Sequence, residues 1–250
     1  MPPDRIVSLV PSLTELVWWF GRGEALVGRT RFCTEPAGEV ERVAALGGTK
    51  NPDVPAIIAL APDLVIANRE ENRREDVEAL EEAGLCVLLT DPNSMEEALD
   101  MILELGELLG SAAEGGRLVS DTRAAIAAGA SRDRSPRVFV AIWRNPLMGL
   151  AGGTYGHSLL TAAGATNVLN DRPRYPELGR DEVAGLAPEA ILLPDEPYRF
   201  AAQHVPEFAA IAPTRVIDGK LLWWYGPRMP EAIRSLREIV QELAAEGRSG

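Results

Sequence analysis

The hydrophobic pattern of this chain states one plan twice. An apolar run, Arg5-Ile6-Val7-Ser8-Leu9-Val10, opens the sequence and is followed by Leu60-Ala61-Pro62-Asp63-Leu64-Val65-Ile66-Ala67. The same order returns in the second half, where Arg137-Val138-Phe139-Val140-Ala141-Ile142 precedes Leu186-Ala187-Pro188-Glu189-Ala190-Ile191-Leu192-Leu193. Short apolar runs bounded by turn signals read as strands covered on both faces. A β-branched run opening each half, then a Leu-Ala-Pro-acid turn feeding a second run, predicts two α/β lobes of similar plan. Two lobes imply a cleft between them, and clefts are where ligands sit.

In the first half the pattern predicts strands at Ile6–Val10, Ala25–Val27, Leu64–Ala67 and Cys86–Leu89, separated by helices near Ser12–Phe20, Val54–Leu60 and Asn72–Ala83. This alternation is what a largely parallel sheet demands. Ser12 followed by Glu15 reads as a capping box that starts a helix after Pro11, and Gly21 and Gly84 read as helix stops. No strand signal appears from about Ser94 to Gly129. Capping boxes at Ser94-Met95-Glu96-Glu97 and Ser111-Ala112-Ala113-Glu114 place two helices there, with Gly110 between them. The second, Ala112 to about Ala128, runs roughly 25 Å, enough to join two lobes. The polar stretch Ser131–Pro136 reads as the loop into lobe two.

Lobe two repeats the alternation. Strands are expected at Val138–Ile142, Asn167–Leu169, Ala190–Leu193 and Arg215–Ile217, and helices at Gly156–Ala163, Asp181–Leu186 and Pro230–Ala245. In the last helix Ile233, Leu236 and Arg237 share one face, which docks on the lobe. The domain boundaries are 1–110 for the first lobe, 111–130 for the bridging helix and 131–250 for the second lobe.

Composition narrows the function more than the fold. At 250 residues, 46% hydrophobic and 25% charged, the chain has a globular balance and enough length to bury a real core. A net charge of −12 argues against nonspecific nucleic-acid binding, which needs clustered Lys and Arg. No apolar stretch approaches the roughly 20 residues of a bilayer span. Cys33 and Cys86 lack a zinc-binding spacing; they read as buried free thiols, with a mutual disulfide as the other reading. The N-terminus enters the first strand without a leader, so the expected location is cytoplasmic if Met1 is the native start, and periplasmic or cell-surface if a leader was removed.

Several segments carry a family resemblance. They are Arg5-Ile6-Val7-Ser8-Leu9-Val10-Pro11-Ser12-Leu13-Thr14-Glu15-Leu16, Val27-Gly28-Arg29-Thr30-Arg31-Phe32-Cys33, Gly47-Gly48 and Leu60-Ala61-Pro62-Asp63-Leu64-Val65 in the first half. In the second half they are Trp143-Arg144-Asn145-Pro146-Leu147-Met148, Gly152-Gly153-Thr154, Gly164-Ala165-Thr166-Asn167-Val168 and Tyr225-Gly226-Pro227-Arg228. Across nearly the full chain the sequence resembles the cobalamin-type substrate-binding proteins of ABC importers, which share a fold with siderophore, haem and metal receptors. The resemblance implies two Rossmann-like lobes of mostly parallel sheet joined by one long bridging helix, with limited hinge motion. It also implies a monomer that hands a macrocyclic cargo to a membrane permease.

In parallel sheets, ligand contacts come from loops at the carboxyl ends of strands. That rule selects Ser12, whose hydroxyl either faces a ligand or simply caps a helix. It selects Arg31 and Phe32, a cation and an aromatic suited to a flat macrocycle, with a core role for Phe32 as the other reading. Asn68 and Arg69 follow the next strand; the cobalamin-binding relatives often carry an aromatic at the position of Asn68, where a polar side chain can still bond a corrin amide. In lobe two the rule selects Trp143, Arg144 and Met148, and then Trp224, Tyr225 and Arg228. Trp143 is otherwise core, and at least one residue of Trp223-Trp224-Tyr225 is expected to point into the core by strand alternation. The family docks an exposed acid of each lobe on permease arginines, and Glu75 is the nearest candidate, although Glu70, Glu71 and Glu75 are also simply solvated helix-start charges. His157 and His204, the only histidines, are too few for a metal-receptor ligand set. His157 reads as an axial ligand to cobalt or iron or, more simply, as a helix-start histidine.

No nucleophile elbow, HExxH motif, phosphate-binding loop or Rossmann glycine triplet is present. The expectation is a non-catalytic receptor for cobalamin or a related corrinoid as cargo. Haem or a ferric siderophore is the alternative cargo, and a cytoplasmic corrinoid-handling enzyme or carrier is the alternative of another class.

Overall fold

Apolar runs long enough for a strand and too short for a helix become the centres of two sheets. A computed structural model describes residues 1–129 and 134–249 and divides the chain into two compact units. The first unit comprises Met1–Asp91, Leu99–Ser120 and Tyr225–Pro227; the second comprises Pro92–Ala98, Asp121–Trp224 and Arg228–Gly250. Ala130 at the end of the expected bridging segment, Ser131–Asp133 of the expected loop, and Gly250 lie outside the described residues.

In the first unit the chain runs β1 (Ile6–Ser8), α1 (Pro11–Trp19), β2 (Leu26–Arg29), β3 (Gly47–Gly48), β4 (Asn51–Pro52), α2 (Val54–Ala59), β5 (Leu64–Asn68), α3 (Arg74–Glu82) and β6 (Val87–Thr90). β2, β1, β5 and β6 pair in that order, all parallel, and β3 and β4 form a separate antiparallel hairpin. All residues of β1 and β5 are buried, the mark of central strands covered on both faces. Val7, Leu9, Leu46, Ile57, Val65 and Leu80 form a core cluster on this sheet. Two helices follow, α4 (Met95–Leu108) and α5 (Ala112–Ala127), and the chain passes from one unit to the other within each.

The second unit contains β7 (Arg137–Trp143), β8 (Met148–Gly149), α6 (Tyr155–Ala162), β9 (Thr166–Asn167), α7 (Arg180–Gly185), β10 (Ala190–Pro194), α8 (Val205–Ala209), β11 (Thr214–Ile217), α9 (Lys220–Trp223) and α10 (Met229–Ser249). β9, β7, β10 and β11 are parallel in that order, and β8 adds antiparallel to β7. With β7 in the place of β1 and β10 in the place of β5, the two sheets have the same strand order.

The duplication reaches single hydrogen bonds. In the first unit Arg5 donates from its guanidinium to the Leu60 carbonyl at 2.6 Å, and Asp63 accepts from the Arg5 backbone N–H at 2.9 Å. In the second, Arg137 donates to the Leu186 carbonyl at 2.6 Å, and Glu189 accepts from the Arg137 N–H at 3.0 Å. Between these partners Ala61 and Ala187 take φ of 43° and 47°, a region costly for a residue with a Cβ. The Leu-Ala-Pro-acid motif is therefore one strained turn used twice: the acid ties the start of the first strand to the start of its neighbour.

Several local expectations are corrected. Ser12 does not cap α1; the N-cap is Val10, no side chain caps it, and Pro11 occupies the first turn, where its missing N–H costs nothing. Ser94 does accept from the Glu97 N–H at 3.2 Å, but Glu97 reaches back to the N–H of Asn93. Ser111 donates to the Phe20 carbonyl at 2.9 Å, and Glu114 pairs with Arg117. Cys33 is buried as expected, whereas Cys86 is exposed; both are free. β2 and β9 lie one or two residues from their expected positions, because a 3₁₀ turn at Gly23–Ala25 consumes the start of one and Asn170 and Arg172 turn back on Asn167 and Leu169 after the other. Trp223-Trp224-Tyr225 is not a strand: Trp223 ends α9, so alternation does not apply. Gly21, Gly84 and Gly110 take φ of +73°, +81° and +74° at helix ends, as expected. No helix among the described residues is long and apolar enough to cross a membrane.

Candidate functional site

The carboxyl ends of each sheet gather the unusual side chains. In both sheets the chain order reverses beside the first strand, between β1 and β5 and between β7 and β10, and loops at such a point open to ligands.

In the first unit the loop after β2 divides its residues by direction. Thr30 and Cys33 turn inward. The Cys33 thiol lies 3.1 Å from the Thr14 hydroxyl, and burial pushes it up from its ordinary value against the hydrogen bonds of Thr14 and Thr30. Arg31 and Phe32 turn outward, with the guanidinium stacked 4.8 Å from the ring centroid and Phe32 49% exposed. Both lean over the β3–β4 hairpin. Gly47 at the start of β3 has φ of +83°, and a Cβ there would fall 2.5 Å from the Asn51 carbonyl, so this position accepts only glycine.

After β5 the polar side chains shape the backbone. Asn68 is buried, donates to the Thr90 hydroxyl at 3.1 Å and accepts from the N–H groups of Glu70 and Glu71. Asn72 donates to the carbonyls of Leu9 and Thr49, tying three carboxyl-end loops together. Arg69 is exposed and pairs with Asp91 at 2.9 Å. Burial pushes the Glu71 carboxyl up, opposed by Lys50 and reinforced by Glu70. Ser12 is buried within α1. Glu75 stands exposed in the first turn of α3, 3.5 Å from Arg73.

In the second unit Trp143 ends β7 with 41% of its surface exposed. Its indole donates to the Asn145 carbonyl at 3.1 Å, and its ring meets Tyr198 edge-on at 5.4 Å. Met148 pairs opposite it in β8. Arg144 makes two bonds to Glu207, at 3.2 and 2.6 Å, and Arg180 adds a third, which holds the Glu207 carboxyl below its ordinary range. Trp224 and Tyr225 are buried at 7% and 5% exposure, and Tyr225 belongs to the first unit. Lys220 and Arg228 lie over the Trp224 ring at 4.8 and 5.2 Å. Trp143 and Arg144 thus share one carboxyl-end loop, and Trp224 and Arg228 share a second cluster.

Both histidines are committed by their hydrogen bonds. Asn167 accepts from the Leu169 N–H and donates to the Leu150 carbonyl, which fixes its amide, so the remaining donor points at Nδ1 of His157 at 3.2 Å. Nδ1 is the acceptor and Nε2 carries the proton, leaving no lone pair for a metal. Burial lowers the affinity of this ring for a second proton. In His204, Nδ1 accepts from the Ala201 N–H at 2.9 Å. Among the described residues no group of three or more His, Cys, Asp or Glu is placed to hold a metal ion.

Sequence reasoning missed Asp195, Glu196, Tyr198, Glu207 and Lys220. The signal was present for the first three, since they directly follow the second Leu-Ala-Pro-acid strand. Glu207 and Lys220 lie on short helices that no periodicity announces.

A family model described as periplasmic binding protein matches residues 6–207. An uncharacterized ABC transporter substrate-binding lipoprotein of Bacillus subtilis, YvrC, is 29% identical over 95% of this chain and 80% of its own length. A vitamin B12-binding protein of Pectobacterium carotovorum is 25% identical over 97% of this chain and 89% of its own. The structure of a periplasmic haem-binding protein from Pseudomonas aeruginosa superimposes with a TM-score of 0.81 at 25% identity, covering 95% of this chain and 92% of that one.

Proposed function

This chain belongs to the periplasmic binding protein family, and from that premise we propose that it is a non-catalytic receptor that captures cobalamin or a related corrinoid for an ABC importer. The observation that carries the reading is the pair Phe32 and Trp143. Each is a large aromatic left substantially exposed at the carboxyl end of a sheet, one in each unit, where a flat apolar ligand gains most from contact. Cobalamin brings its own axial base to cobalt and needs no protein donor. Haem iron seeks an axial ligand, and with both histidine Nδ1 atoms committed the haem alternative would have to take it from a tyrosine or methionine. The family description and the lipoprotein relative support a site of action in the periplasm or at the cell surface.

Calorimetry with cyanocobalamin, cobinamide, haemin and a ferric siderophore tests the choice. Both corrinoids are expected to bind one to one and haemin more weakly; binding of haemin alone, with a spectrum of axially ligated iron, would reverse the assignment.

Permease docking is assigned to Glu75, which is exposed and engages Arg73 only at 3.5 Å. With the cognate importer in proteoliposomes, Glu75→Arg should lower receptor-stimulated ATP hydrolysis while corrinoid affinity stays unchanged. Full stimulation by this variant would remove Glu75 from the docking surface.

A further inference from the structure

One residue in the second unit binds two consecutive tryptophans, one through its backbone and one through its side chain. Glu196 follows β10, and its backbone carbonyl accepts the indole N–H of Trp223 at 2.8 Å while its carboxylate accepts the indole N–H of Trp224 at 3.2 Å. Gly219 packs so closely beneath it that a Cβ there would lie 2.3 Å from Glu196 Cγ. Two residues on, Tyr198 meets the exposed ring of Trp143 edge-on at 5.4 Å and lies tilted against the buried Phe200 at 4.7 Å. The loop that backs Trp143 is therefore moored to two consecutive tryptophans through one residue.

We propose that Glu196 is a positioning residue for ligand capture: by docking its loop on Trp223 and Trp224 it holds Tyr198 against Trp143 and so sets the orientation of the exposed ring. This role rests on the macrocycle-binding reading for its effect on affinity, but the mooring itself is a property of the ligand-free protein. An exposed ring held in its binding orientation loses less freedom when ligand arrives, so weakening the mooring weakens capture without removing a single ligand contact.

The groups that face the Glu196 carboxyl are Asp195 on its own loop, Asp218 and Lys220 after β11, and Trp224. Burial, then Asp195 and then Asp218 push it up from its ordinary value, against the Trp224 hydrogen bond and Lys220. Arg228 lies over the far part of this cluster, on the Trp224 ring. The indole N–H of Trp224 should therefore report a titration with a midpoint above that of an ordinary glutamate.

The test uses the full chain with ¹⁵N-labelled tryptophan, whose five indole signals are few enough to assign. In the ligand-free protein the Trp224 indole signal should shift on acidification, and in Glu196→Gln that shift should vanish with the signal held near its acid-limit position at every pH, because the amide oxygen still accepts but carries no charge. Glu196→Ala should move the Trp223, Trp224 and Trp143 signals together and weaken cyanocobalamin binding about tenfold, with Glu196→Gln within about twofold of the parent. Unmoved Trp143 and Trp224 signals in Glu196→Ala would overturn the proposal, as would equal losses of affinity in the Ala and Gln variants. If no macrocycle binds the parent protein, the functional reading fails and the indole signals alone decide the mooring.

Discussion

Replacing Trp143 by alanine should weaken cyanocobalamin binding by about 1 to 3 kcal/mol, the usual scale for a desolvated aromatic contact, and leave the protein folded. The asymmetry follows from exposure. Trp143 keeps 41% of its surface in solvent, so its truncation removes little core packing, whereas a ligand seated on it removes that surface from water. Within the protein its truncation removes an indole hydrogen bond to the Asn145 carbonyl and an edge contact with Tyr198, besides the packing of its covered face. Phe32→Ala should behave alike, since Phe32 is 49% exposed and Arg31 rests on its ring. Tyr225 and Trp224 are the contrast: both are buried, so their truncation should lower thermal stability first. Calorimetric titration beside a melting curve separates the cases. A Trp143→Ala protein with unchanged affinity and a lowered melting temperature would mean that the ring packs the second unit and binds nothing.

The second large effect is structural. Arg237 is expected on the docking face of α10, and it lies in the middle of it: 5% exposed between the fully buried Ile233 and Leu236. Its guanidinium donates to the carbonyls of Ala125 at 2.8 Å and of Ala162 and Ala163 at 3.3 Å. Those carbonyls stand at the last turns of α5 and α6, where a helix leaves acceptors without internal partners and where its dipole favours a cation. Arg237→Ala should therefore cost about 3 to 5 kcal/mol, because buried carbonyls lose their donor and a cavity remains. Lysine should rescue only part, since one ammonium cannot reproduce a planar fork aimed at the ends of two helices. Urea unfolding measures this directly; a loss below about 1 kcal/mol would show that water replaces the guanidinium at no cost.

Much of the architecture was legible because it is local. The runs at Ile6–Ser8, Leu64–Asn68, Arg137–Trp143 and Ala190–Pro194 are too apolar to face water and too short for helices, so they could only be central strands. The doubled Leu-Ala-Pro-acid motif carries the duplication in the sequence itself. Misreadings fell where a side chain had two partners to choose from. Ser111 has the sequence context of a cap but binds the distant Phe20 carbonyl, and Trp223 and Trp224 look like strand residues while a short helix aims their indoles at Glu196. Cys86 reads as core from its apolar neighbours, yet β6 lies at the sheet edge and leaves it exposed.

The candidate site divides in the same way. Arg31, Phe32, Trp143 and Arg144 could be named in advance because strand ends in parallel sheets are predictable, and the residue just beyond such an end faces the ligand side. Whether each side chain is free to act there is a question of partners, and partners come from elsewhere in the chain. Asn68 spends its amide on Thr90 and on the turn beyond it, Arg144 is clamped by Glu207, and both histidines lose their Nδ1 lone pairs to neighbours. By itself the sequence determined the two α/β plans, the alternation of strands and helices along the chain and the loops that bear the aromatics, because hydrophobic period and turn chemistry are written in neighbouring residues. Only the tertiary structure decided which polar groups remain available and which are already satisfied, because hydrogen bonds join residues that are distant in the chain and near in space.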